Sequence, residues 1–197
     1  MRLLMIFSHP SQDSYGAAIR NRALETLRAA GHEVRLRDLY AEGFDPILTK
    51  AEWDRYLSDP DANIALVQDH VDDLMWCEGL IVIYPTWYYG APAMLKGWLE
   101  RVWLPGVTFE IPRNKTARLT GKLQHIKVFV GITTSGSPWW WIKLILDPGR
   151  GLWTRGLRPL FNRRCRFHWR QLYSMNHVTP TDRARFLDRV EAMLKGI

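Results

Sequence analysis

The twenty residues from Gly79 to Trp98, GLIVIYPTWYYGAPAMLKGW, decide how this chain folds. Gly79 to Tyr84 is apolar at every position, the pattern of a strand buried on both faces of a parallel sheet. Pro85 and Gly90 then force a turn and put Thr86, Trp87, Tyr88 and Tyr89 on a loop. Pro92 suits the first turn of a helix, where its missing N–H costs nothing. Leu95, Leu99 and Val102 form that helix's inward stripe, and Lys96, Glu100 and Arg101 cover its other side. The absence of charge from Gly79 to Leu95 does not indicate a membrane span. Pro85, Gly90 and Pro92 break the run, which is shorter than the roughly 20 residues a spanning helix needs.

Outward from this stretch, strands and helices alternate. Leu3 to Phe7 is an apolar strand followed by a helix with Ile19, Ala23, Leu27 and Ala30 near one face, ended by Gly31. Val34 to Leu39 is a second strand. Ala62 to Trp76 has the length of a second long helix, with Leu66, His70 and Asp73 on its outer side. Ile126 to Ile132 and Cys165 to Tyr173 complete five strands, and Thr181 to Leu194 is a closing helix. Buried strands separated by helices predict an α/β three-layer sandwich around a five-stranded parallel sheet. The order expected first is the flavodoxin-like 2-1-3-4-5. No break in composition divides residues 1–197, so one domain is expected. Trp103 to Lys122 is the longest irregular connection.

With 47% hydrophobic and 24% charged residues in 197, the chain matches an ordinary globular protein and can bury about 70% of its unfolded surface. Cys77 and Cys165 lack metal-ligand or disulfide-framework spacing. They read as reduced thiols, consistent with the cytoplasm, and no metal is expected. The opening apolar run is too short for a signal peptide. A net charge of +7 favours anionic partners without choosing among them.

In an open parallel sheet, ligands bind beyond the carboxyl ends of the strands, where strand order reverses. Three loops should converge there. Ser8 to Gly16, SHPSQDSYG, offers hydroxyls, the His9 ring and the free N–H groups of a helix start, which suit a phosphate; an N-cap at Asp13 or Ser14 explains the same residues structurally. Thr86 to Tyr89 offers rings for stacking on a planar ligand. Gly131 to Pro138, GITTSGSP, offers small residues that allow close backbone approach. GxGxxG after the first strand, GxxxxGK[ST], HExxH and GxSxG are all absent, which removes the main support for classical dinucleotide-fold and hydrolase readings.

On SHPSQDSYG, YPTWYYGAPAMLKGWLERVWLPGVTFE and TTSG, the chain resembles the flavodoxin-like NAD(P)H quinone oxidoreductase family, the DT-diaphorase type and its bacterial relatives. The resemblance implies a flavin, FAD or FMN, in a homodimer that passes two electrons from NAD(P)H to a quinone-like acceptor in ping-pong fashion. By matching positions it implies that His9, Ser14, Tyr15 and Gly16 hold the phosphate side. It assigns Pro85, Thr86, Trp87, Tyr88 and Tyr89 to the isoalloxazine, and Thr133, Thr134, Ser135 and Gly136 to its pyrimidine end. Lys96 and Trp98 belong to the motif but read as structural. Where the family carries a Tyr and a His for proton and charge handling, this chain has PWWWIKLILDPGR, with Trp141 and Asp147 near those places. That departure keeps open an alternative, an ancillary flavoprotein subunit of a membrane potassium efflux system.

Trp139 to Arg170 holds five of the ten tryptophans among many arginines. No nucleic-acid motif accompanies them, so nucleic acid is not expected. A basic aromatic segment also suits peripheral membrane contact, and it suits equally a dimer interface combined with an active-site wall.

Overall fold

A computed structural model describes residues 1–112 and 119–197. Part of the long connection from Trp103 to Lys122 therefore lies outside the described residues.

Five strands form a parallel sheet: β1 (Arg2–Phe7), β2 (Glu33–Asp38), β3 (Gly79–Pro85), β6 (Val128–Thr134) and β7 (Arg166–Leu172). Their order is β2-β1-β3-β6-β7. With β4 (Phe109–Glu110) and β5 (Thr120–Gly121) set apart as a small antiparallel pair, this is the expected 2-1-3-4-5. Strand order reverses at β1 and β3, whose ends Phe7 and Ile83 are in register.

The three inner strands β1, β3 and β6 alternate between two cores, as a period of two requires. Leu3, Met5, Phe7, Ile81, Ile83, Val130 and Ile132 pack with Ile19, Ala23 and Leu27 of α1 (Tyr15–Ala29) and with Phe186, Val190 and Leu194 of α8 (Pro180–Leu194). Leu4, Ile6, Leu80, Val82 and Tyr84 face the other way, toward α4 (Gln68–Trp76) and α5 (Ala93–Val102). Helix α1 is capped by Ser14, whose Oγ accepts from the Ala17 N–H at 3.1 Å. It ends at Ala30, which is an exposed cap rather than a core position, and Gly31 follows at φ +79°.

Several expectations need correction. The helix read as Ala62 to Trp76 is α3 (Pro60–Ile64), a 3₁₀ turn at Ala65–Val67, and then α4. Asp59 and Pro60 start α3 as a cap and first-turn pair, an N-terminal signal that periodicity alone overlooks. Of the three residues assigned to the outer face, only Leu66 is exposed; His70 and Asp73 are buried. Asp73 accepts from Arg35 at 2.7 Å and Arg37 at 2.6 Å, so the side chains of β2 neutralise its charge. Helix α2 (Lys50–Arg55), closed by a Thr49–Glu52 capping box, was not expected. The fourth strand of the sheet begins and ends two residues later than its apolar run, so Thr133 and Thr134 lie in β6, paired with Tyr84 and Pro85, rather than on a loop. The Trp139 tract is largely helical: α6 (Trp139–Leu144), α7 (Pro148–Gly151) and a π turn over Leu152–Gly156.

Candidate functional site at the carboxyl edge of the sheet

A cleft of about 530 Å³ opens beyond β3 and β6, within the range of small-ligand pockets. Residues 85–89 form one wall, residues 134–137 another, and Met175 and Asn176 after β7 close the rim.

The aromatic wall is a two-residue hairpin. The Trp87 N–H donates to the Gly90 carbonyl at 3.2 Å, and the Gly90 N–H donates back to Trp87 at 3.0 Å. Between them Tyr88 and Tyr89 lie at φ 47° and 65°, the left-handed pair of a type I′ turn, which ordinarily uses Asn-Gly. Non-glycine residues there store strain of about 1–3 kcal/mol each. The turn exposes the Tyr88 ring fully and leaves the N–H groups of Tyr88 and Tyr89 undonated among the described residues. Its root is fixed: the Thr134 carbonyl accepts from the Thr86 N–H at 2.8 Å and from Thr86 Oγ1 at 2.9 Å.

The opposite wall is held by β7. The Ser135 N–H donates to the Leu172 carbonyl, and the Met175 N–H donates to Ser135. Gly136 is exposed, and its N–H also lacks an acceptor among the described residues. Thr133 is buried below the cleft floor with its Oγ1 unpartnered. It is not brought to the lining, whereas Thr134, Ser135 and Gly136 are.

The first loop stands beside the cleft rather than in its lining, which includes none of His9, Ser14, Tyr15 and Gly16; its nearest approach is the His9 ring, whose centroid is 6.4 Å from that of Trp87. His9 Nδ1 accepts from the Ser11 N–H at 3.0 Å, which orients the ring. Helix α1 starts here with no acidic residue in its first turn. The N–H groups of Tyr15 and Gly16 have no acceptor among the described residues, leaving the partial positive charge of the helix start open. The Tyr15 side chain turns away: its hydroxyl donates to the Arg183 carbonyl of α8 at 2.7 Å, and burial pushes its pKa up to about 12.

Trp141 and Asp147 separate in role. Trp141 Nε1 donates to Tyr89 Oη at 3.1 Å, tying α6 to the aromatic turn. Asp147 is buried, caps the Arg150 N–H at 3.4 Å and pairs with Lys143 at 3.3 Å. Its carboxylate builds the start of α7 and is absent from the cleft lining. Met175 and Asn176 were missed because β7 ends in no motif. Their one available signal was position, since the fifth strand's carboxyl end joins the same edge.

The motif's helical half is structural, as read. Trp98 is wholly buried, with Nε1 donating to His70 Nδ1 at 3.3 Å, and Lys96 pairs with Glu100 on the surface. Trp139, Trp140 and Leu144 are exposed on one side of α6. No helix among the described residues is long and apolar enough to cross a membrane.

A planar group with polar edges fits these walls: rings on one side, undonated N–H groups at the rim, and an open helix start beside His9. The chain belongs to the family described as flavodoxin-like fold, which matches residues 1–143. It is 31% identical over 154 residues to NAD(P)H dehydrogenase [quinone] 1 of Cavia porcellus, an alignment covering 69% of this chain and 54% of that protein. The chain thus spans little more than half the length of that relative. The crystal structure of Smu.1420 from Streptococcus mutans superposes with a TM-score of 0.86 at 29% identity, covering 100% of both chains. An NAD(P)H:quinone oxidoreductase from Methanothermobacter marburgensis shares the fold, with a TM-score of 0.81 at 23% identity over 99% of this chain and 96% of that one. None of these names describes a subunit of an ion-efflux system, and that alternative is without support.

Proposed function

We propose that the chain is a flavin-dependent NAD(P)H oxidoreductase that reduces quinones or similar small acceptors, acting as one flavin-binding unit over residues 1–197 in a cytoplasmic homodimer. The observation that carries this reading is the strained Tyr88–Tyr89 turn, which lines the cleft with its N–H groups undonated among the described residues, beside the point where the sheet's strand order reverses. A bound flavin, FMN or FAD, supplies hydride acceptance and donation. The chain's own residues bind and orient. The N–H groups of Tyr88, Tyr89 and Gly136, undonated at the cleft, would be the donors available to the polar ring edge and would favour negative charge there. Trp87 would offer its ring to the cofactor, and Trp141 would brace the wall through its bond to Tyr89. His9, Ser14, Tyr15 and Gly16 present the start of α1 to the phosphate, Ser14 as the cap and Tyr15 and Gly16 through the backbone. No side-chain nucleophile is needed.

The buried, free Cys77 and Cys165 suit a reducing compartment, and the exposed rings of Trp139 and Trp140 suit contact with a second copy. The test is to purify the protein, release and weigh any cofactor, reconstitute with FMN or FAD, and add NADH or NADPH without oxygen. The expected outcome is a yellow protein that bleaches and regains colour with a quinone. A colourless protein that neither flavin reconstitutes rejects the reading.

A further inference from the structure

Next to the cleft lies a second cavity of about 320 Å³, lined by Lys143, Leu146, Asp147, Arg150, Thr154 and Arg155. Its shape comes from a sharp reversal after α6. Leu146 and Asp147 both adopt left-handed backbone, at φ 61° and 47°, and the Asp147 carboxylate then caps α7.

The cavity gathers three cations around one carboxylate. That carboxylate is already committed to Lys143 and to the Arg150 N–H. Arg155 Nη2 donates to the Leu146 carbonyl at 3.2 Å, which holds its guanidinium at the cavity wall. Thr154 Oγ1 donates to the Arg150 carbonyl at 3.0 Å and fixes the turn from which Arg150 projects. The Arg150 guanidinium itself has no hydrogen bond or ion pair among the described residues. The surplus of two positive charges matches a phosphate monoester, which carries about −1.5 to −2 near neutral pH, and arginine's planar fork suits its oxygens.

One chain segment separates this cavity from the cleft. Gly149 stands so close to the cleft wall that a Cβ on it would lie 2.9 Å from the Tyr89 carbonyl oxygen and 3.6 Å from the Thr86 methyl. The segment at Gly149 is thus a wall shared by the cleft and this cavity, close enough for one extended ligand to span both.

We propose that this cavity seats the 2′-phosphate of NADPH, with Arg150 and Arg155 as the residues that select NADPH over NADH. This rests on the oxidoreductase reading above. The purified protein is titrated calorimetrically at low salt with adenosine 2′,5′-bisphosphate, 5′-AMP and inorganic phosphate, as wild type, Arg150→Gln and Arg155→Gln. The bisphosphate is expected to bind about 10- to 100-fold more tightly than 5′-AMP, the scale of one or two charge-assisted hydrogen bonds. Either substitution should erase most of that margin and lower the NADPH-to-NADH ratio of kcat/KM by a similar factor. Circular dichroism establishes that each variant is folded, and two independent exposed arginines guard against failure of one.

Equal affinity for bisphosphate and 5′-AMP in the wild type overturns the proposal. Inorganic phosphate binding as tightly as the bisphosphate assigns the cavity to free phosphate and also overturns it. Bleaching by NADH together with either result removes only the subsite. A bisphosphate margin in a protein that retains no flavin keeps the anion site and rejects the oxidoreductase reading instead.

Discussion

Trp87 and Trp98 stand eleven positions apart in one motif, and the structure uses them in opposite ways. Trp98 is wholly buried, bonded to His70 and edge-on to Trp103 at 6.2 Å between centroids. Trp87 is exposed, at the foot of a strained turn. The helical half of the motif is built for packing: a Cβ on Gly97 would lie 2.4 Å from the Pro46 Cβ and 2.6 Å from the Pro46 carbonyl carbon. The turn half holds its rings and donors toward solvent at a cost in backbone strain. Adjacent segments thus divide stability from binding, and substitutions should separate the two.

The widest separation is expected at the two tryptophans. Trp98→Ala should cost about 3–5 kcal/mol in urea unfolding, the range for deleting a large buried ring. Trp87→Ala should change stability by no more than about 0.5 kcal/mol while weakening FMN or FAD binding measured by fluorescence. Equal losses of stability at both positions would abolish the distinction.

The helical half should also carry a pH dependence. Burial, with help from Arg37, lowers the His70 pKa from 6.5 to about 4, and its Nδ1 must stay unprotonated to accept from Trp98. In the unfolded chain the imidazole takes up a proton below about pH 6.5; in the folded protein it resists until about pH 4. Stability is therefore complete above pH 6.5 and falls as pH drops toward 4, by up to about 3 kcal/mol from this group. His70→Gln should flatten that slope in urea titrations run between pH 7 and 4. An unchanged slope would place the acid sensitivity in other groups.

Much of the fold was legible because alternation of apolar runs with helical stripes reports burial directly. Leu3 to Phe7, Gly79 to Tyr84 and the α8 stripe of Phe186, Val190 and Leu194 all sit where their patterns put them. His70 and Asp73 were misplaced because polar residues on a helix read as solvent-facing unless their partners are known, and Arg35, Arg37, Glu42 and Trp98 come from other elements. The loop aromatics were legible as a wall, but not the left-handed geometry of Tyr88 and Tyr89, which contradicts local preference. Asp147 resembled a site residue by position alone; its cap to Arg150 N–H and its pair with Lys143 follow a reversal that Asp147-Pro148-Gly149 announces as a turn, although not with left-handed backbone at Leu146.

The strain itself is open to test. Replacing Tyr88–Tyr89 with Asn-Gly supplies the residues a type I′ turn favours and should raise stability by about 1–2 kcal/mol. Removal of the two rings should at the same time loosen flavin binding. A gain in stability with unchanged flavin affinity would mean that the backbone donors alone hold the cofactor; no gain would mean that the turn is not strained.

The smallest effect is expected from a matched pair of tyrosine hydroxyls, each accepting from a tryptophan Nε1. Tyr84 Oη accepts from Trp153 at 2.9 Å in the buried core, and Tyr89 Oη accepts from Trp141 at 3.1 Å near the surface. Tyr84 and Trp153 are both buried, so water does not replace the lost partner. Tyr84→Phe leaves a buried indole N–H without an acceptor and should cost about 1–3 kcal/mol. Tyr89→Phe leaves a solvated one and should cost about 0.5 kcal/mol or less, because water takes the hydroxyl's place. Thermal unfolding of both variants measures the difference. If Tyr89→Phe cost as much as Tyr84→Phe, the Trp141 bond would be holding α6 against the turn, and the binding half of the motif would be contributing to the fold after all.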